Sequence, residues 1–93
     1  MKMQTVESVW DALKDTPEQT ANMKLRSDLM MEVERYVRTL DVTQVEAAKQ
    51  LGLTQPRLND LLKGKIDKFS LDALVNILAR AGRQVSVKVE QAA

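Results

Sequence analysis

A chain of 93 residues holds one compact core and is too short for two; its 44% hydrophobic and 29% charged make-up contains no apolar run near the roughly 18 residues of a membrane helix, so no span or anchor is expected. Cysteine and histidine are both absent, which removes disulfides, thiol nucleophiles, imidazole bases and the usual zinc or haem ligands together, and the carboxylates that remain sit among polar neighbours at helix-like spacing; the expectation is a protein with no enzyme chemistry, no cofactor and no metal. The net charge is only +1, yet residues 1–40 carry six basic and seven acidic side chains while Lys49 to Lys68 carries five basic (Lys49, Arg57, Lys63, Lys65, Lys68) against Asp60 and Asp67, so the middle of the chain is its positive part.

The first residues, Met1 to Thr5, lead into alternating polar and apolar positions and not into the apolar core of a secretory signal, and a cytoplasmic location is expected. Val6, Val9, Trp10 and Leu13 fall at i, i+3, i+4 and i+7, one apolar stripe on a short helix over about residues 5–14. A helix that short must dock, and its stripe is either plain core or a partner-binding face. Asp15-Thr16-Pro17-Glu18-Gln19 then reads as a fresh start, with Thr16 at the N-cap, Pro17 at the first helical position and Gln19 placed as in a capping box. Met23, Met30, Val33, Val37 and Leu40 recur at helical spacings behind it, so a long amphipathic helix runs to about Leu40.

Three shorter helices follow. Thr43 caps one through Leu51 that Gly52 ends; Thr54 caps a second through Lys63 that Gly64 ends; Ser70 caps a third, with Leu71, Leu74, Val75, Leu78 and Ala79 as its buried stripe and Gly82 at its close. After Gly82 the period drops from 3.6 to 2. Gln84 to Glu90 alternates with Val85, Val87 and Val89 on one face and reads as a lone strand, whose open backbone is satisfied most simply by the same strand of a second copy. A homodimer is expected, with those valines at its centre.

The segment Thr43 to Gly64 has helix-turn-helix spacing: two short Thr-capped helices joined through Leu51-Gly52-Leu53, with Ala47 and Ala48 permitting a close crossing and Leu51, Leu53, Leu58 and Leu61 filling the space between. That packing exposes Gln55, Pro56, Arg57, Asn59, Asp60 and Lys63 on the second helix. Glutamine and asparagine pair with adenine and arginine with guanine, so Gln55 and Arg57 lead the base-contact candidates, joined by Pro56, Asn59 and Asp60. Pro56 either meets a thymine methyl or fixes the first turn; Asp60 either accepts from cytosine or pairs with Arg57 at i, i+3. Thr43, Gln44, Thr54, Lys63, Lys65 and Lys68 are the candidates for the phosphate backbone, with plain solvation as the other reading of the lysines. A purely structural helical hairpin fits the same geometry.

Thr43-Gln44, Ala47-Ala48, Leu51 to Gln55 and Leu58 to Gly64 resemble the XRE, or Cro/phage-repressor, helix-turn-helix family over about a quarter of the chain. Val9 to Leu13, Gln55-Pro56-Arg57, Leu61 to Lys65, Phe69 to Asp72 with Leu74, and Ala81-Gly82 before the valine-rich stretch extend the likeness over nearly the whole chain, to the HigA-like antitoxins of that family. The resemblance implies a mainly α, lambda-repressor-like bundle of about five helices plus the C-terminal strand, divided into a short N-terminal helix and connection (1–15), a DNA-binding domain (16–83) and a dimerisation strand and tail (84–93). It implies a type II antitoxin that represses its own operon as a dimer on a palindromic DNA operator and sequesters a RelE/HigB-like ribonuclease toxin, with DNA contacts at Gln44, Thr54, Gln55, Pro56, Arg57, Asn59 and Asp60. Many relatives carry Lys or Ser around the positions of Asn59 and Asp60, so the acidic Asp60 leaves the operator sequence open. A stand-alone XRE-family regulator shares all of the DNA chemistry, and a helical adaptor that binds only protein shares none of it.

Overall fold

The computed structural model describes residues 16–92, and the expected helix over residues 5–14, with Val6, Val9, Trp10 and Leu13, lies outside them. Four α-helices and one 3-10 turn follow in order: α1 (Pro17–Thr39), α2 (Gln44–Leu51), α3 (Gln55–Leu62), the 3-10 turn (Ile66–Lys68) and α4 (Leu71–Arg80). Each α-helix begins where a hydroxyl side chain takes up an orphan amide. Thr16, Thr43, Thr54 and Ser70 accept from the N–H groups of Gln19, Glu46, Arg57 and Ala73 at 3.1 to 3.2 Å. Pro17 starts α1 at no cost, because its missing N–H is one of the orphans in any case.

α1 forms the long brace against which α4, α3 and the 3-10 turn pack, while α2 packs on α3 and α4. Among the described residues the core takes Leu29, Met30 and Val33 from α1, Ala47, Ala48 and Leu51 from α2, Leu58 and Leu61 from α3, Leu74, Ile77 and Leu78 from α4, and Phe69 and Ala81 from the connections. Each of these larger side chains contributes on the order of 1.5–3 kcal/mol by leaving water.

Two expected stripes shift. On α1, Met30 and Val33 are buried as expected and Met23, Val37 and Leu40 half-buried, but Leu29 joins the core. On α4, Leu74 and Leu78 are buried, whereas Val75 is 39% exposed and Ala79 is also exposed; Ile77 and Ala81 take their places. Both choices share the 74/78 pair at helical spacing, and the side on which α1 lies decides between them.

Residues 84–90 form no strand within the chain and make no backbone hydrogen bond among the described residues. Strand pairing needs a neighbour, and the described part of this chain supplies none. The segment is nevertheless tethered at its start. Arg83 lies over the Tyr36 ring, 5.2 Å from its centre, and Val85 packs half-buried at the rim of the core beside Leu29 and Leu78, while Val87 and Val89 are 72% and 89% exposed.

Candidate nucleic-acid interface

The geometry starts at Gly52. Its φ of 73° and ψ of 28° put it in the left-handed region, where a residue with a Cβ is strained, and there it reverses the chain after α2. The Leu53 N–H returns to the Ala48 carbonyl at 2.8 Å and closes the turn. Three residues after Gly52, α3 begins under its own Thr54 cap, crossing α2 with Ala47 and Ala48 buried between them. Leu51, Leu58 and Leu61 fill the crossing, and Leu53 is half-buried beside them.

At 100° per residue, burial of Leu58 and Leu61 and partial burial of Leu62 turn Pro56, Asn59, Asp60 and Lys63 outward, with Gln55 on one flank and Arg57 on the other. Gln55, Pro56 and Lys63 are exposed; Arg57, Asn59 and Asp60 are intermediate. The side-chain amides of Gln55 and Asn59 and the ammonium of Lys63 have no partner among the described residues.

Arg57 and Asp60 are engaged within the protein. The Arg57 guanidinium stacks over the Phe69 ring, 4.3 Å from its centre, and its Nη1 donates to the Lys68 carbonyl at 3.2 Å. Asp60 does not pair with Arg57. Its Oδ1 and Oδ2 lie 3.3 Å and 3.5 Å from the ammonium groups of Lys65 and Lys68. Partial desolvation pushes the Asp60 carboxyl up, but the hydrogen bond and charge of Lys65, reinforced by Lys68, outweigh it and hold the pKa below the ordinary aspartate value. Two of the three lysines expected at phosphates therefore sit beside a carboxylate in the free protein.

At the start of α2, the Thr43 hydroxyl is the cap and Gln44 is half-buried, while the Gln44 and Val45 amides precede the first intrahelical bond, the N–H of Ala47 to the Thr43 carbonyl. Those two amides point out of the helix end and suit an oxyanion; Glu46 in the same turn offsets part of that field. Phe69 and Arg26 support this face from outside the helix pair. Arg26 on α1 donates from Nη1 to the carbonyls of Ile66 (3.1 Å) and Phe69 (3.5 Å), fixing the segment that holds Lys68 and the Phe69 ring beneath Arg57. Partners about forty residues apart leave no local pattern to find.

The profile of the helix-turn-helix domain family matches residues 12–90. The chain belongs to that family. Within the matched span, α2 and α3 are the two short helices joined by the Gly52 turn. A helix-turn-helix domain implies DNA binding, which fits an α3 surface that carries the Gln55 and Asn59 amides and Lys63 beside Pro56 and Asp60. A comparison with curated proteins finds no match. Among the described residues, no helix is long and apolar enough to cross a membrane and no cluster of carboxylates has the arrangement of a metal site.

Proposed function

We propose that this helix-turn-helix protein is a sequence-specific transcriptional repressor, without enzyme activity, that binds a palindromic operator as a homodimer in the cytoplasm. We further propose that it is a HigA-like antitoxin of the XRE class, which represses its own operon and neutralises a RelE/HigB-like ribonuclease toxin. The observation that carries the reading is the crossing of α2 and α3 about Gly52, which leaves the Gln55 and Asn59 amides and Lys63 on the side of α3 away from the core, without partners among the described residues. Unpaired amides beside cations on a helix narrow enough for the major groove suit base edges and phosphates together. The antitoxin half rests on the likeness in Gln55-Pro56-Arg57, Phe69-Ser70-Leu71 and Ala81-Gly82.

Titration of the full chain with its own upstream DNA and with random duplex, at low ionic strength, tests the first half. A preference for the upstream fragment that disappears in the Gln55→Ala/Asn59→Ala variant is expected; equal affinity for both duplexes sinks DNA reading. Copurification with the product of an adjacent gene of about 100 codons tests the second half, and a locus without such a neighbour leaves a stand-alone regulator.

A further inference from the structure

We infer that base selection falls to Gln55 and Asn59 and is directed at adenine, while Arg57 is a positioning residue that does not read guanine. The inference rests on α3 entering DNA as proposed above.

The five candidate side chains on α3 differ in what they have left to offer. Pro56 has no hydrogen-bonding group in its side chain. Asp60 has one lysine on each carboxylate oxygen. Arg57 covers Phe69, a ring only 1% exposed, and reaches the Lys68 carbonyl as well. To reach a guanine it would have to abandon both contacts and open a buried aromatic face to water, a change that base pairing would have to offset before adding any affinity. Gln55 and Asn59 have nothing to abandon, since neither side-chain amide has a partner among the described residues.

Each amide carries a donor and an acceptor, the complement of the N7 acceptor and N6 donor that adenine shows in the major groove. The two residues are four apart on α3, so they lie on one side of the helix and about 6 Å apart along its axis. Base pairs stack about 3.4 Å apart, and the pair therefore addresses adenines no more than about two steps from one another. Arg57 enforces this by tying α3 to the 3-10 turn and Phe69, so that the two amides are presented from a fixed helix.

The test selects bound duplexes from a randomised pool with the full chain and with Gln55→Ala, Asn59→Ala and Arg57→Met, the last keeping an unbranched stem over Phe69. The unmodified protein is expected to enrich two A·T pairs within about two steps in each half-site. Gln55→Ala and Asn59→Ala should each lose preference at one of them, with an affinity loss of about 5- to 150-fold for the selected duplex. Arg57→Met should weaken all duplexes alike and keep both adenines. A guanine position that flattens in Arg57→Met alone overturns the inference while leaving DNA reading intact. A pool from which the unmodified protein enriches nothing overturns DNA reading itself.

Discussion

The side chain of Arg80 lies across Gly52: a Cβ at Gly52 would stand 2.6 Å from Arg80 Nε and 2.9 Å from its Cδ and Cζ. The last turn of α4 thus covers the bend between α2 and α3. Two penalties follow for Gly52→Ala, the left-handed backbone and the collision, and Gly64 separates them, because it has a φ of 75° with nothing near its own Cβ position. The backbone term costs about 1–2 kcal/mol at either glycine. Arg80 is exposed and its flexible end swings aside cheaply. Gly52→Ala and Gly64→Ala are therefore expected to lower the melting temperature by similar amounts, on the order of 5–15 °C for a domain of this size. Any excess at Gly52 should vanish in an Arg80→Ala background, and an excess that persists there would show that the bend is constrained by something other than Arg80.

Arg26 supports the same face from the opposite side. Its Nη1 satisfies the Ile66 and Phe69 carbonyls, whereas its Nε is buried with no partner among the described residues. Hydrogen bonds from a charged donor are worth about 1.5–3 kcal/mol each at most, and the unpartnered Nε takes some of that away. Arg26→Met keeps the stem and removes both the bonds and the stranded donor, so it should destabilise by only about 1 kcal/mol. Arg26→Ala also opens a gap beside the 3-10 turn and should cost about twice as much. Denaturant melts of the two variants measure this, and equal losses would place the contribution of Arg26 in its donors alone.

The four caps were readable in the sequence because capping is local: a hydroxyl and the amide three residues on need no knowledge of the rest of the chain. So was the crossing of α2 and α3, since alanines, leucines and a glycine at those spacings admit little else. What escaped has partners distant in sequence. Ile77 and not Val75 faces inward on α4 because α1 lies on that side, and Arg57 stacks on Phe69 because the 3-10 turn folds the chain back over α3. Valine alternation over residues 84–90 records a capacity for pairing, while a strand exists only where a neighbour accepts its hydrogen bonds.

Asp60 offsets part of the charge of Lys65 and Lys68 behind α3. With its pKa held below the ordinary aspartate value by Lys65 and Lys68, it adds stability that is fully present above that ordinary value and is lost as pH falls through the depressed one. Asp60→Asn should therefore lose that increment at neutral pH, a small one as expected for exposed ion pairs, and match the unmodified protein below the depressed pKa, so that the acid limb is shallower. The same variant frees two ammonium groups. If both then reach phosphates, the slope of log affinity against log salt on random duplex steepens by up to about 1.8, and affinity at low salt rises. An unchanged slope would show that the Asp60 carboxylate does not keep Lys65 and Lys68 from the phosphate backbone.

Val85 and its two successors play different parts in the tail. Val85 is packed at the rim of the core, so deleting the whole of residues 84–90 would disturb the monomer as well as any dimer. Val87 and Val89 are uncovered, and their flanking backbone makes no hydrogen bond among the described residues. Val87→Lys/Val89→Lys spares the fold and places like charges opposite one another in a two-stranded ribbon across a two-fold axis, an arrangement that opposes pairing. The variant is expected to melt close to the unmodified protein at low concentration and to sediment as a monomer. On the proposed dimer, its operator affinity should fall by orders of magnitude, because one α3 would replace two at half-sites about 34 Å apart. A variant that still sediments as a dimer and protects both half-sites would move the two-fold contact away from the tail.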